Sequence, residues 1–138
     1  MKSPGVLFIS PYVEDAEKLS KILSGMPLPL LHVRGIEQAR DTLTKQPFDV
    51  ILTEGALADG GWRDVLQLAR QVSPDAEVIV TDPGADGHFW AEALNLGAYD
   101  LVAQPFYPAE VQRILGNACS RMTRPASIAA SSSIPANN

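Results

Sequence analysis

Apolar positions along this chain switch repeatedly between two spacings. Gly5 to Ile9 is a continuous apolar run of strand length, and Val13, Ala16, Leu19, Ile22 and Leu23 then recur at helical spacing. The alternation continues. "PLPLLHV", 27 to 33, is a short extended run whose prolines confine it to a sheet edge, and 36 to 44 is amphipathic. "FDVILT", 48 to 53, predicts a strand, and 62 to 72 predicts a helix that turns Val65, Leu66, Leu68, Ala69 and Val72 inward. A strand over 76 to 81, a helix over 88 to 97 ended by Gly97, and a strand over 99 to 104 follow. Pro108 opens a last helix, to Ser120, at a position where its missing N–H costs nothing.

Strand and helix thus alternate five times, and the strands are apolar enough to need cover on both faces. The pattern predicts an α/β protein with a doubly wound parallel sheet of five strands and five helices. In such sheets ligands and chemistry gather at the carboxyl ends of the strands, which here carry Ser10 and Pro11, Glu54, Thr81 and Asp82, and Gln104 followed by Pro105. From Met122 onward the composition becomes small and polar without periodicity. Residues 1–121 are therefore read as one domain and 122–138 as a Ser/Ala/Pro-rich linker or disordered tail.

Composition narrows the function. A chain of 138 residues that is 46% hydrophobic supports one core, and its net charge of −5 offers no clustered Lys and Arg for nucleic acid. No apolar run approaches the roughly 20 residues that span a bilayer, so no membrane partner is expected. A single cysteine, Cys119, cannot form an internal disulfide, and Met1 to Pro4 lack a signal-peptide pattern; a cytoplasmic setting is expected. His32, His88 and Cys119 lack metal-ligand spacing, and no nucleophile–base arrangement stands out. No Gly-rich phosphate loop follows the first strand, where "SPYVED" stands. Neither catalysis nor a cofactor is expected.

Three stretches carry a family resemblance: "VLFIS", "PFDVILTEGALADGGWRDVL" and "LNLGAYDLVAQPF". Over about residues 5 to 120 the chain resembles the receiver domain of two-component response regulators, the CheY-like fold. The resemblance implies a flavodoxin-like strand order 2-1-3-4-5. It also implies a site where an acidic pair, an acceptor aspartate, a hydroxyl and a lysine bind magnesium and take a phosphoryl group. Here the acidic-pair positions fall on Ser10 and Pro11, the acceptor on Glu54 and the lysine on Gln104. The hydroxyl falls on Thr81 or Asp82, depending on one inserted residue.

Each replacement has a physical consequence. Magnesium asks for near-octahedral oxygen ligands, and Pro11 offers no side-chain oxygen while Ser10 offers a neutral one. Glu54 moves its carboxylate outward by one methylene, roughly 1.5 Å, away from in-line geometry. Gln104 donates a hydrogen bond but no positive charge. Ser10 is instead expected to cap the first helix, with Pro11 in its first turn. Glu54 reads either as a partial imitation of a phosphorylated acceptor or as a drifted residue at a solvated strand end. Asp82 with Pro83 and Gly84 reads as a turn rather than as a carboxylate facing Glu54.

The expectation is an atypical, degenerate pseudo-receiver that signals by protein contacts without metal or phosphorylation. The alternatives are a phosphoaccepting receiver with a non-standard site and a small-ligand-binding flavodoxin-like module. By family spacing Trp90 lies on the outer surface of the fourth helix as a partner anchor, and Leu101 takes the place of a switching aromatic in the fifth strand. Partners are then a protein or a linked effector, or a second copy through the fourth helix, fifth strand and fifth helix. Tyr99 is expected to pack on the same face as Leu101, and Trp62 to cover the sheet edge.

Overall fold

The computed structural model lines the five apolar runs up side by side and parallel; it describes residues 5–84 and 86–123, with side chains as far as Cys119. The strands are β1 (Val6–Ile9), β2 (Leu30–Val33), β3 (Val50–Glu54), β6 (Glu77–Asp82) and β7 (Asp100–Ala103), in the order β2-β1-β3-β6-β7. This is the 2-1-3-4-5 order expected of the five main strands. Between β3 and the next helix lies a small antiparallel hairpin, β4 (Ala56–Leu57) with β5 (Gly60–Gly61), which the periodicity did not announce. The expected tail lies outside the described residues from 124 onward.

Five helices cover the sheet: α1 (Val13–Ile22), α2 (Ile36–Lys45), α3 (Trp62–Val72), α4 (Gly87–Asn95) and α5 (Pro108–Thr123). Successive strand residues point to opposite faces, so β1 divides its side chains between two cores. Leu7 and Ile9 join Ile51, Val80, Leu101 and the inner stripes of α2 and α3. Val6 and Phe8 join Leu52, Ile79, Val102 and the stripes of α1 and α5, including Leu19, Val111 and Leu115. Helices on both faces explain why the strands carry no polar alternation.

Two aromatic expectations change here. Trp62 is buried in the core rather than laid over the sheet edge, because α3 turns it toward α4, where its ring meets Phe89 at a centroid distance of 5.7 Å. Tyr99 packs in the α1/α5 core and not on the face of Leu101, since β7 starts only at Asp100 and strand alternation does not reach it.

Candidate functional site

Glu54 ends β3 with its side chain 3% exposed, so it is not at a solvated strand end. Three neighbours enclose it. The Ser10 hydroxyl, at the end of β1, donates to Oε2 at 3.0 Å. The Gln104 amide nitrogen, just past β7, donates to Oε1 at 3.0 Å and lies equally close to Thr81 Oγ1. Asp15, in the first turn of α1, is the acidic neighbour that helps hold the Glu54 carboxyl above its ordinary value. Thr81 completes the row by donating to the Val102 carbonyl at 2.8 Å. The carboxyl ends of β1, β3, β6 and β7 are thus joined by one polar chain.

Charge in this pocket is one-sided. Burial raises the Glu54 carboxyl most, the Asp15 hydrogen bond and charge raise it further, and the hydrogen bonds from Gln104 and Ser10 oppose them, so it is pushed from 4.5 to about 7. Among the described residues no Lys or Arg forms an ion pair with Glu54.

Ser10 does not act as the cap expected of it. Helix α1 begins at Val13 after Tyr12, and Ser10 is fully buried. Its oxygen accepts from the Tyr12 amide at 3.0 Å while its proton goes to Glu54, and a hydrogen bond to a buried carboxyl outweighs a surface cap. Pro11 lies in the connection before the helix and not in its first turn. The Ser10 carbonyl is held in turn by His32 on β2, whose Nε2–H donates at 2.8 Å.

The hydroxyl facing Gln104 belongs to Thr81. Asp82 closes its own turn, its Oδ1 accepting from the Gly84 amide at 2.7 Å, while its Oδ2 lies so close to Gly55 that a β-carbon there would stand 2.2 Å away. The acidic group that raises Glu54 is Asp15, on α1 and not at a strand end. Its signal was present: Asp15 directly precedes Ala16 and sits four residues before Leu19, on the sheet-facing side of α1.

The residues present do not suit magnesium. Pro11 has no side-chain donor atom, Ser10 is neutral and committed, and both Glu54 oxygens already accept hydrogen bonds. Among the described residues no group of three His, Cys, Asp or Glu side chains could hold a metal ion.

Farther out, the loop after β3 is fastened to α2. Gly35 has no side chain with which to cap that helix, and Asp59 does so instead, accepting from the amides of Ile36 at 3.0 Å and Glu37 at 3.2 Å. Those amides hold the Asp59 carboxyl below its ordinary value. Helix α4 is tied to α3 by the Arg63–Glu92 ion pair and by Arg70 donating to the Leu96 carbonyl. The Arg63 guanidinium also lies 4.7 Å over the Trp62 ring. On α4, Trp90 is 44% exposed and Leu94 is equally open. Leu101 is 3% exposed, because β7 turns it into the core under α3 and α4; it offers no surface to a partner.

No family model matches the chain. The response regulator protein PilR of Pseudomonas aeruginosa is 26% identical over 118 residues, which cover 86% of this chain and 26% of that protein. The chain thus spans about a quarter of that relative's length. Among solved structures, the signal receiver domain of a putative Luxo repressor protein from Vibrio parahaemolyticus superposes with a TM-score of 0.82 at 18% identity, covering 88% of this chain and 94% of that one. The signal receiver domain of an HD domain-containing protein from Pseudomonas fluorescens Pf-5 gives 0.80 at 22% identity, covering 89% and 91%. The beryllofluoride-activated NtrC4 receiver domain dimer gives 0.78 at 21%, covering 85% and 97%. The fold is that of response-regulator receiver domains.

Proposed function

We propose that this chain is the receiver-like module of a two-component regulator, working by protein contacts and neither accepting a phosphoryl group nor holding magnesium. The observation that carries the reading is the state of Glu54: in the acceptor's place stands a buried carboxyl closed in by Ser10, Gln104 and Asp15. An acceptor needs an open oxygen, a divalent ion and a counter-charge, and the pocket supplies hydrogen bonds from neutral donors instead. Kinship with a much longer response regulator supports placing the module beside an effector, in the cytoplasm.

The same reading makes α4 with β7 and α5 the contact face, for a protein partner, a linked effector or a second copy of the chain. Trp90 and Leu94 stand one turn apart on α4 and are both exposed, which suits an apolar anchor. The acidic net charge argues against nucleic acid as a direct ligand. Titration calorimetry with magnesium tests the proposal. No heat of binding is expected through the millimolar range; saturable binding that disappears in Glu54→Gln would overturn it.

A further inference from the structure

Helix α5 delivers the chain to the end of the sheet opposite Glu54. It starts at Pro108, beyond the carboxyl end of β7, and runs back beside α1, where Gln112 Nε2 donates to the Ile22 carbonyl at 3.0 Å. Farther along, a β-carbon on Gly116 would stand 3.5 Å from Met26 Cε. Met26 belongs to the loop from α1 into β2, which lies at the amino ends of the strands: its Pro29 carbonyl accepts from the Val6 amide at 2.8 Å. Helix α5 ends at Thr123, two turns or about 10 Å past Gly116.

The same loop walls a groove of about 450 Å³, lined by Leu23, Met26, Pro27, Leu28, Pro29 and Leu30 with two serines at its rim. Leu23 is buried and forms the floor, while Met26, Leu28 and Leu30 are half-buried against the core that α5 also covers. Among the described residues none that lines it is charged. Its hydrogen-bonding groups are largely spent. Pro27 and Pro29 have no N–H, the Met26 amide goes to the Leu23 carbonyl at 3.0 Å, and the Ser24 hydroxyl donates to the Lys21 carbonyl at 2.9 Å. The two prolines also restrict the loop, so the groove is formed before anything enters it. Its occupant must be held by apolar contact.

We propose that the groove is the docking site of the chain's own exit segment, residues 126–130, with Ile128 as the side chain it takes. Ile128 is the first large apolar residue after Met122 and stands five residues beyond Thr123, a reach of at most about 18 Å when extended. Its neighbours Ala126, Ser127, Ala129 and Ala130 are small enough to let the backbone lie close to the groove wall. Arg124 is the one charged side chain in 124–138, so the segment enters without burying a charge. Attachment to α5 supplies an effective concentration on the order of millimolar, at which one apolar side chain can hold a groove that a free peptide would leave. The departing chain is thereby fixed at the β2 edge, and a linked effector would start from a set place. The proposal goes beyond the metal-free reading of Glu54 and does not depend on it.

Nuclear Overhauser spectroscopy on the methyl-labelled 138-residue chain tests it. The Ile128 methyls should show contacts to the Met26 and Leu28 methyls, and these should not vary with protein concentration. Ile128→Ser, which lies outside the core, should abolish them and shift the amides of Met26, Leu28 and Leu30 while the rest of the spectrum stays in place; Ile128→Leu should keep the contacts. Ile128 methyls without contacts to the groove, or groove amides unmoved in Ile128→Ser, overturn the proposal. Groove amides that respond to Ile134→Ser but not to Ile128→Ser overturn it by naming another segment. Contacts that grow with protein concentration overturn it by putting a second copy in the groove.

Discussion

Gln104, just past β7, donates to Glu54 across 3.0 Å and so ties the end of the last strand directly to the acceptor position. It is neutral on the donor side. A lysine in its place would bring an ammonium beside the carboxyl, which lowers a carboxyl pKa by about one to three pH units. Gln104→Lys should therefore pull the Glu54 midpoint down from about 7 while leaving the fold intact. Carboxyl titration of the variant checks this, and an unmoved midpoint would mean that residue 104 does not set the charge of the pocket.

The raised Glu54 carboxyl also fixes how stability varies with pH. Below its unfolded value near 4.5 the folded and unfolded states are both protonated and its contribution is fully present; as pH rises to about 7 the unfolded state ionises first and the contribution is lost. The slope is at most about 1.4 kcal/mol per pH unit. Urea midpoints across this window should fall for the wild type, and the difference from Glu54→Gln should narrow toward acid.

Asp59 works with the opposite sign. Its carboxylate is stabilised by the Ile36 and Glu37 amides, so its contribution is present above the ordinary 3.8 and is lost as pH falls through its lower folded value. Asp59→Ala removes the only side-chain oxygen capping α2 among the described residues, which costs about 0.5–2 kcal/mol at neutral pH. Chemical denaturation at neutral and strongly acidic pH should show the deficit shrinking in acid.

The two tryptophans should separate fold from contact. Trp62→Ala opens the core between α3 and α4 and should cost about 3–5 kcal/mol. Trp90→Ala removes an exposed ring and should change stability by no more than about 0.5 kcal/mol. If α4 is the contact face, the same Trp90 change weakens association by about 2 kcal/mol or more. Melting curves paired with sedimentation or partner titration read both; a melted Trp90→Ala protein would place that ring in the core.

Much of the architecture was legible because its strands are uninterrupted apolar runs and its helices carry regular stripes. The 62 to 72 helix coincides with α3 for that reason. The hairpin Ala56–Leu57 with Gly60–Gly61 was not legible, since two-residue strands leave no period to read. Ser10, Glu54, Thr81 and Gln104 were found because strand ends converge in a parallel sheet. Asp15 was missed because it sits on α1 and not at a strand end, where a parallel sheet gathers its functional groups, although its spacing to Ala16 and Leu19 turns it toward the sheet. Asp59 was missed likewise, as its partner amides lie 22 and 23 residues away. Leu101 was assigned to a surface from family spacing, whereas strand alternation alone turns it inward.

The central claim is that this receiver fold works without a phosphoryl group, and intact-protein mass spectrometry tests it most directly. The chain would be incubated with a small-molecule phosphodonor and magnesium at neutral pH, then measured before any acyl phosphate could hydrolyse. The pocket, with Glu54 enclosed and no group of three metal-ligating side chains among the described residues, predicts an unchanged mass. A gain of one phosphoryl group that maps to Glu54 and is absent from Glu54→Gln would contradict the account.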